Sequence, residues 1–469
     1  MKILTFLISF LIVSCFVKAQ TVVSGGIYQN ATWTLAGSPY IVTGSIVVFP
    51  GNTLTIEPGV EILINNQTNN EIYIETRGTI NCVGTDLLPI KIRTMYDTLN
   101  NVGWKGFVCT SSQGGILNAD RFQISNAHFP FAYETPLNNY QYTNCKFSHC
   151  FQAITVANTV NLLNCQLIDN EVAVYGWSYF TIDNCLFKDN TTSIYAYSSA
   201  LQLTNSSFID NQIGLSFASN VYDSIYISDC QFLNNGLAIN YPNNGKIQNC
   251  TFNDNATAIQ AAYKCEILNN AFSYNEIGIE ASVNANIHDN QINNNFTGLT
   301  ISNVSTVQDS PLIYNNEICG NINYNVNNNT NMNYSLLNNC FCGLDSTAIE
   351  LYLFDGYDDI TKGLINYSLF NTDCSSVLGT VLKFQGQGVG ISETMAESIT
   401  YSNPVTDFLT FFQESLIDKL IIVNTYGQTF TVNPQSPNVF DLRFLNAGIY
   451  FIEGFQDNKK TQTFKLIKQ

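Results

Sequence analysis

The middle of this chain repeats itself about every 20 residues, and a period of that length constrains the fold more than any other feature. Asn144-Cys145-Lys146-Phe147, Asn164-Cys165-Gln166-Leu167, Asn184-Cys185-Leu186-Phe187, Asn205-Ser206-Ser207-Phe208, Asp229-Cys230-Gln231-Phe232, Asn249-Cys250-Thr251-Phe252, Asn269-Asn270-Ala271-Phe272 and Asp289-Asn290-Gln291-Ile292 are successive copies. Asn126-Ala127-His128-Phe129 is an earlier copy and Asn315-Asn316-Glu317-Ile318 a later one. Past each Phe slot stands a second asparagine: Asn170, Asn190, Asn211, Asn235, Asn255, Asn275 and Asn295. A small residue and an aliphatic one follow, as in Ala173-Val174 and Gly278-Ile279.

A repeat of this size means a solenoid, in which each unit buries its apolar side only by stacking on its neighbours. Within a unit the apolar residues alternate, as in Phe180-Ile182 and Cys185-Phe187, which is strand periodicity. Each unit is therefore expected to be two or three short strands joined by asparagine turns and stacked as parallel sheets. Asparagine suits such turns because it tolerates left-handed backbone geometry. Recurring on every coil, its amide can also bond along the stack and satisfy buried polar groups. The Phe, Leu and Ile slot should form a continuous inward column. Leucine-rich repeats share the period and are the rival fold, but they are dominated by leucine and carry one such turn per unit.

Cysteine usage follows the same logic. Cys145, Cys165, Cys185, Cys230 and Cys250 occupy one repeat slot, which reads as a packing position rather than a disulfide framework. Of the 14 cysteines, removal of Cys15 with a leader would leave an odd number, so at least one thiol is free or pairs between chains. Cys340 and Cys342 stand too close together, without partners, to read as zinc ligands.

These repeats resemble the right-handed parallel β-helix family, the pectin-lyase-like superfold, over residues 20–383. The opening coils are similar to that family in Thr32-Trp33-Thr34, Ser38-Pro39-Tyr40-Ile41-Val42, Leu54-Thr55-Ile56-Glu57-Pro58-Gly59-Val60 and Trp104-Lys105-Gly106. The far end, Asn338-Asn339-Cys340-Phe341 through Asp355-Gly356-Tyr357-Asp358-Asp359 to Asn366-Tyr367-Ser368, is similar to the segment that closes such helices. After a Gly-rich, polar linker at 384–400, the style changes to short alternating strands, the pattern of a small Ig-like β-sandwich. The fold class expected is all-β: a single-stranded right-handed parallel β-helix followed by that sandwich.

Residues 401–469 resemble the type A C-terminal sorting domain of the type IX (Por) secretion system of Bacteroidetes. The matching residues are Tyr401-Ser402-Asn403-Pro404-Val405-Thr406-Asp407-Phe408-Leu409, Val423-Asn424-Thr425-Tyr426-Gly427, Leu445-Asn446-Ala447-Gly448-Ile449-Tyr450-Phe451 and Phe464-Lys465-Leu466-Ile467-Lys468. The resemblance implies Asn403, Pro404, Gly427, Gly448, Tyr450, Lys465 and Lys468 as parts of a sorting signal. It also implies the type IX machinery as a partner, with attachment to surface lipopolysaccharide in many cases.

The amino end agrees with export. Lys2, the apolar run from Ile3 to Val17 and then Ala19 have the order of a signal peptide, 1–19, cut before Gln20. Ile12-Val13-Ser14-Cys15 offers a competing lipobox-like site. The expected location is therefore secreted or on the outer cell surface. Past the leader, no apolar run reaches the length of a bilayer span, so no transmembrane helix is expected in the mature chain.

Charge narrows the partners. The formal net charge is −17, only 12% of residues are charged, and asparagine, at roughly 60 residues, supplies the missing surface polarity. The four arginines, Arg77, Arg93, Arg121 and Arg443, make no cationic stripe, which excludes nucleic acid as a partner.

Many parallel β-helices act on polysaccharides, so an enzyme reading has to be weighed on residues. A lyase or hydrolase needs a base or paired carboxylates. The nearest array is the slot two after Phe, with Asp169, Asp189 and Asp210 the catalytic candidates beside His149, Asn234 and Asp254. Asp-Asn is also an ordinary turn dipeptide, and a solvated turn carboxylate needs no ligand. No cofactor is expected; calcium along this column is the one ion considered, although the Gly-Gly-x-Gly-x-Asp signature of calcium β-rolls is missing. His128, His149 and His288 fall in separate coils without a shared partner. With Val174 and Ile194 pointing inward, alternation sends Tyr175, Trp177, Tyr195 and Tyr197 outward on one face as candidate ligand-binding residues. Flat exposed rings stack on sugar faces, so the reading is a non-catalytic display, adhesion or glycan-binding protein. The alternative is a carbohydrate-active lyase, hydrolase or epimerase.

Overall fold

The structure, a computed structural model, describes residues 20–374 and 405–468 apart from 68–70, 97–102, 110–112, 132–139, 157–158, 178, 198–199, 219–224, 305, 372, 412–416, 425–428, 437, 447 and 457–458. The leader 1–19 with Cys15 and Ala19, the linker 384–400, and Asn403, Pro404 and Gly427 lie outside the described residues. The chain divides into two compact units, residues 1–385 and 386–469, each described by itself.

One coil of the first unit shows how the repeat becomes structure. Strand Val160–Leu163 is followed by Gln166–Ile168 and Val172–Gly176, and the next coil repeats the three as Phe180–Asp183, Leu186–Lys188 and Thr192–Ala196. Each strand pairs in parallel with its counterpart one coil on, placing Val160 beside Phe180, Leu167 beside Phe187 and Val174 beside Ile194. Three parallel sheets of 16, 9 and 10 strands result, with a smaller four-stranded parallel sheet toward the amino end. Parallel neighbours need a crossover, and here the crossover is the rest of the coil. The unit is an all-β right-handed parallel β-helix, and the leucine-rich alternative is set aside: among the described residues the only α-helix is the short Ser346–Glu350 at its far end.

The two asparagine columns serve different ends. Asn164, Asn184, Asn205, Asp229, Asn249 and Asn269 join the second sheet to the first at φ between 48° and 57°. This left-handed conformation is one that most side chains avoid and Asn and Asp accept. Asn170, Asn190, Asn211, Asn235, Asn255, Asn275 and Asn295 are at most 2% exposed and form a hydrogen-bonded ladder inside the stack. The Asn190 backbone N–H and its Nδ2 both donate to Asn211 Oδ1, at 2.9 and 3.0 Å, and its Nδ2 also donates to the Leu167 carbonyl at 2.9 Å. Neighbouring rungs repeat the arrangement. A buried amide left unpaired costs about 1–3 kcal/mol; here both amide hydrogens and the oxygen are engaged.

The Phe slot is the inward column. Phe187, Phe208, Phe232, Phe252 and Phe272 stack with centroids 4.7, 4.9, 4.8 and 4.7 Å apart. That is the distance between neighbouring strands, so one coil contributes one ring. The Cys slot lines the same interior: Cys145, Cys165, Cys185, Cys230 and Cys250 are free and buried. From Asn270 the slot changes residue, and Asn270, Asn290, Asn316 and Asn339 form a second amide ladder.

At its carboxy-terminal end the stack is closed by Phe341, by the Asp345-capped helix and by Asp355, whose carboxylate accepts from the backbone N–H of Tyr357 and Ile365 at 2.8 and 2.7 Å. Here the cysteine reading is corrected. Cys340 and Cys342 do have partners: disulfides join Cys319 to Cys342 and Cys340 to Cys374. They tie the closing segment to the last coils, so they do not follow the repeat.

The second unit is antiparallel. Phe408–Thr410 pairs with Val439–Asp441, and Thr429–Val432, Lys419–Asn424, Gly448–Gln456 and Lys459–Lys468 form a four-stranded sheet. Leu409, Leu420, Ile422, Phe440, Leu442, Ile452 and Leu466 lie in one buried core. Among the expected sorting residues, Gly448 pairs with Lys468 across the two last strands, Lys465 pairs with Phe451, and the Tyr450 hydroxyl donates to the Asn446 carbonyl at 2.9 Å. Among the described residues no helix is long and apolar enough to cross a membrane.

Candidate functional site

The third sheet carries the aromatic cluster. Its ladder of side chains runs Thr155, Tyr175, Tyr195, Ser216, Asn240 and Gln260, one residue per coil. Val174 and Ile194, one position earlier in each strand, are buried at 1% and 0% exposure, so alternation turns Tyr175 and Tyr195 away from the core. The two tyrosine rings lie 5.3 Å apart and 4° from parallel. Trp177 stands edge-on to Tyr175 at 5.0 Å and 89°. Trp177 and Tyr197 leave their strands at the next turn and are 37% and 41% exposed. Tyr179, not singled out from the sequence, is 42% exposed and donates its hydroxyl to Gln202 Oε1 at 3.1 Å.

From Thr155 to Gln260 the rungs of this ladder are uncharged, and Glu280 follows on the next coil. Burial pushes the Tyr175 phenol up, and the neighbouring Tyr195 and Tyr197 phenols add to the effect, against a smaller opposing pull from Trp177. With Tyr175 and Tyr195 stacked on one another, the exposed Trp177 and Tyr197 rings beside them offer the aromatic surface that can stack on the apolar face of a pyranose. Along the same ladder Ser216 is buried, Asn240 and Gln260 are half-buried and uncharged, and Asn240 Nδ2 approaches Ser216 Oγ at 3.4 Å.

The aspartate column is built from turns. His149, Asp169, Asp189, Asp210, Asn234 and Asp254 all have φ between 53° and 57°. Asp169 faces His149 Nε2 at 3.0 Å, and Asp210 accepts from Asn234 Nδ2 at 2.7 Å. Asp189 lies 4.0 Å from Lys188 Nζ. Burial is the main cause that pushes the Asp189 carboxyl up, Lys188 opposes it, and Asp210 and Asp169 reinforce it. The column is thus a run of like charges on consecutive coils, with two of its three central carboxylates bonded to neighbours.

A third cluster was not found by sequence reasoning. His288, 8% exposed, places Nδ1 2.7 Å from Asp289 Oδ2 and Nε2 3.4 Å from Glu266 Oε1, and its ring stacks on Tyr314 at 5.0 Å. Lys246 reaches Glu266 at 3.2 Å. Burial pushes the Glu266 carboxyl up, but hydrogen bonds from Lys246 and His288 outweigh it and hold the group below its ordinary range. With both ring nitrogens engaged, His288 acts as a clasp between coils. The signal for it is the pairing of adjacent strands: Glu266 pairs with Asn286 and Leu268 with His288, so Glu266 meets His288 diagonally on the same face. His149 and His288 have separate partners, so the three histidines are not brought together.

Only one group among the described residues gathers metal-ligand atoms closely. One such atom from each of Glu317, Cys319, Cys342 and Cys374 lies within 4.8 Å of the others, with the cysteines engaged in the two disulfides.

The family model of the right handed beta helix region matches residues 171–318, the stretch that contains the aromatic cluster, Asp189, Asp210 and the stacked Phe column. No curated protein matches the chain.

Proposed function

We propose that this protein is an exported, surface-displayed β-helix that binds glycan without transforming it, through Tyr175, Trp177, Tyr195 and Tyr197. The observation that carries the reading is the stacked, parallel Tyr175 and Tyr195 pair with Trp177 edge-on beside it, on a sheet whose neighbouring rungs are uncharged and polar. A rigid aromatic strip of this kind, with Trp177 and Tyr197 exposed beside the stacked pair, suits an extended polysaccharide lying across the strands. Export follows in this reading from the leader 1–19 and from residues 401–469 acting as a type IX sorting domain, with display on the outer surface and attachment to lipopolysaccharide.

Affinity electrophoresis of the mature chain through gels of plant and algal polysaccharides tests the binding. Retardation by at least one neutral polysaccharide is expected, with affinity lowered at least tenfold in the Trp177→Ala, Tyr195→Ala double variant at unchanged melting temperature. No retardation by any polysaccharide, or retardation equal in the variant, overturns it. Truncation after Thr400 is expected to trap the protein in the periplasm of a type IX host; continued surface display refutes the sorting assignment.

The second reading is a carbohydrate-active enzyme using Asp169, Asp189 and Asp210, and the raised Asp189 carboxyl is the observation in its favour, since a general acid needs such a shift. Against it, Asp169 and Asp210 are held by His149 and Asn234. Those same contacts leave calcium out of the proposed function. Reducing ends or unsaturated products that disappear in Asp189→Asn would establish the enzyme instead.

A further inference from the structure

We propose that Glu317, Cys319, Cys342 and Cys374, at the carboxy-terminal end of the β-helix, form a binding site for a thiophilic divalent cation of the zinc type when their sulfurs are thiols, a site that the disulfides replace when they form. Strand Glu317–Cys319 sends these two side chains to the same face, two residues apart. Cys340 bridges to both Glu317 and Asn371 through the backbone, which brings Cys342 and the segment holding Cys374 against that face. Cys342 and Cys374 are not bonded to each other, yet their sulfurs stand 3.9 Å apart. That is close to ~3.8 Å, the edge of a tetrahedron with metal–sulfur bonds of about 2.3 Å.

The carboxylate is the more telling group. Glu317 Oε1 lies 3.7 Å from Cys342 Sγ and 3.7 Å from Cys319 Sγ. A disulfide has no hydrogen to donate to a carboxylate, so in the oxidised form this approach gains nothing. Around a cation it becomes the fourth ligand. Asn293 orients it: Nδ2 donates to Glu317 Oε1 at 2.7 Å, and Oδ1 accepts from the Cys319 backbone N–H at 3.1 Å. Outer contacts of this kind fix a ligand's geometry. Cys342 is exposed and Glu317 and Cys374 are half-buried, which gives an ion a path in.

Among the described residues the nine cysteines outside the disulfides are all buried, and burial pushes Cys82, Cys150 and Cys265 up to about 12. Starting from the disulfides, a trialkylphosphine and water supply the electrons and protons. Each S–S bond consumes one phosphine and one water, and yields two thiols and one phosphine oxide. The cation then displaces the protons of Cys319, Cys342 and Cys374 as it binds.

The test titrates the phosphine-reduced full chain with Co²⁺ under argon, recording absorption and circular dichroism. Expected are thiolate-to-cobalt charge-transfer and tetrahedral d–d bands that saturate at a single ion per chain, are bleached by Zn²⁺, and do not develop in the oxidised protein. Cys374→Ser should weaken binding at least tenfold, and Glu317→Gln should weaken it about tenfold while keeping the charge-transfer band. A reduced chain without these bands, whatever its circular dichroism, overturns the proposal. So does the same titration in the Cys342→Ser, Cys374→Ser double variant.

Discussion

The two asparagine columns use one residue type at one period for opposite reasons. In the column that contains Asn249 and Asn269, the backbone does the work: φ is 54° at both, and the side chain of Asn269 faces solvent. In the column that contains Asn235, the side chain does the work: Nδ2 donates to Phe208 and Asn255, and Oδ1 accepts twice from Asn211. The difference teaches that a repeated residue identifies a repeated position but not its physics. One column selects against side chains that dislike left-handed geometry; the other selects for an amide and for nothing else.

Substitutions that change one property at a time separate the columns. The largest effect is expected for Asn235→Asp, which buries a carboxylate facing the Phe208 carbonyl and Asn255 Oδ1 with no donor left for either. A loss of about 3–5 kcal/mol in urea unfolding is expected. Its sign with pH follows from linkage. Burial holds the introduced carboxyl above its unfolded value of about 3.9, so the folded state binds the extra proton first, and the loss shrinks as pH falls toward about 4 and levels off below it. Asn269→Val should cost about 1–2 kcal/mol, because a β-branched residue is forced into the left-handed region. Cys250→Asn should extend the second amide ladder by one coil, since Cys250 N–H already donates to Asn270 Oδ1 at 2.8 Å; a gain of up to about 1 kcal/mol is expected. Asn269→Gly should stay within about 0.5 kcal/mol, because glycine accepts the same φ without strain. Equal costs at positions 235 and 269 for the same substitution would remove the distinction.

Much of this was legible because a solenoid writes its interior once per coil. The inward Phe column, the second asparagine column and the outward turn of Tyr175 and Tyr195 follow from period and alternation alone. What escaped was whatever broke the period. Cys319 and Cys342 are 23 residues apart and Cys340 and Cys374 are 34 apart, because they fasten a cap rather than stack coil on coil. Five cysteines sharing a packing slot concealed the four that pair. The Glu266, His288 and Asp289 clasp escaped for another reason: its members occupy sites where the repeat permits any polar residue, and only the register of the strands brings them together.

Removal of one whole coil tests the stacked architecture most directly. Deleting 251–270 joins Cys250 to Ala271, lets Asn235 donate to Asn275 and Phe232 stack on Phe272, and so preserves both columns with one rung fewer. Urea unfolding followed by circular dichroism should show this variant folded and cooperative, with the 251–260 deletion unfolded because half a coil turns every later side chain to the wrong face. Equal disruption by the two deletions would contradict the account.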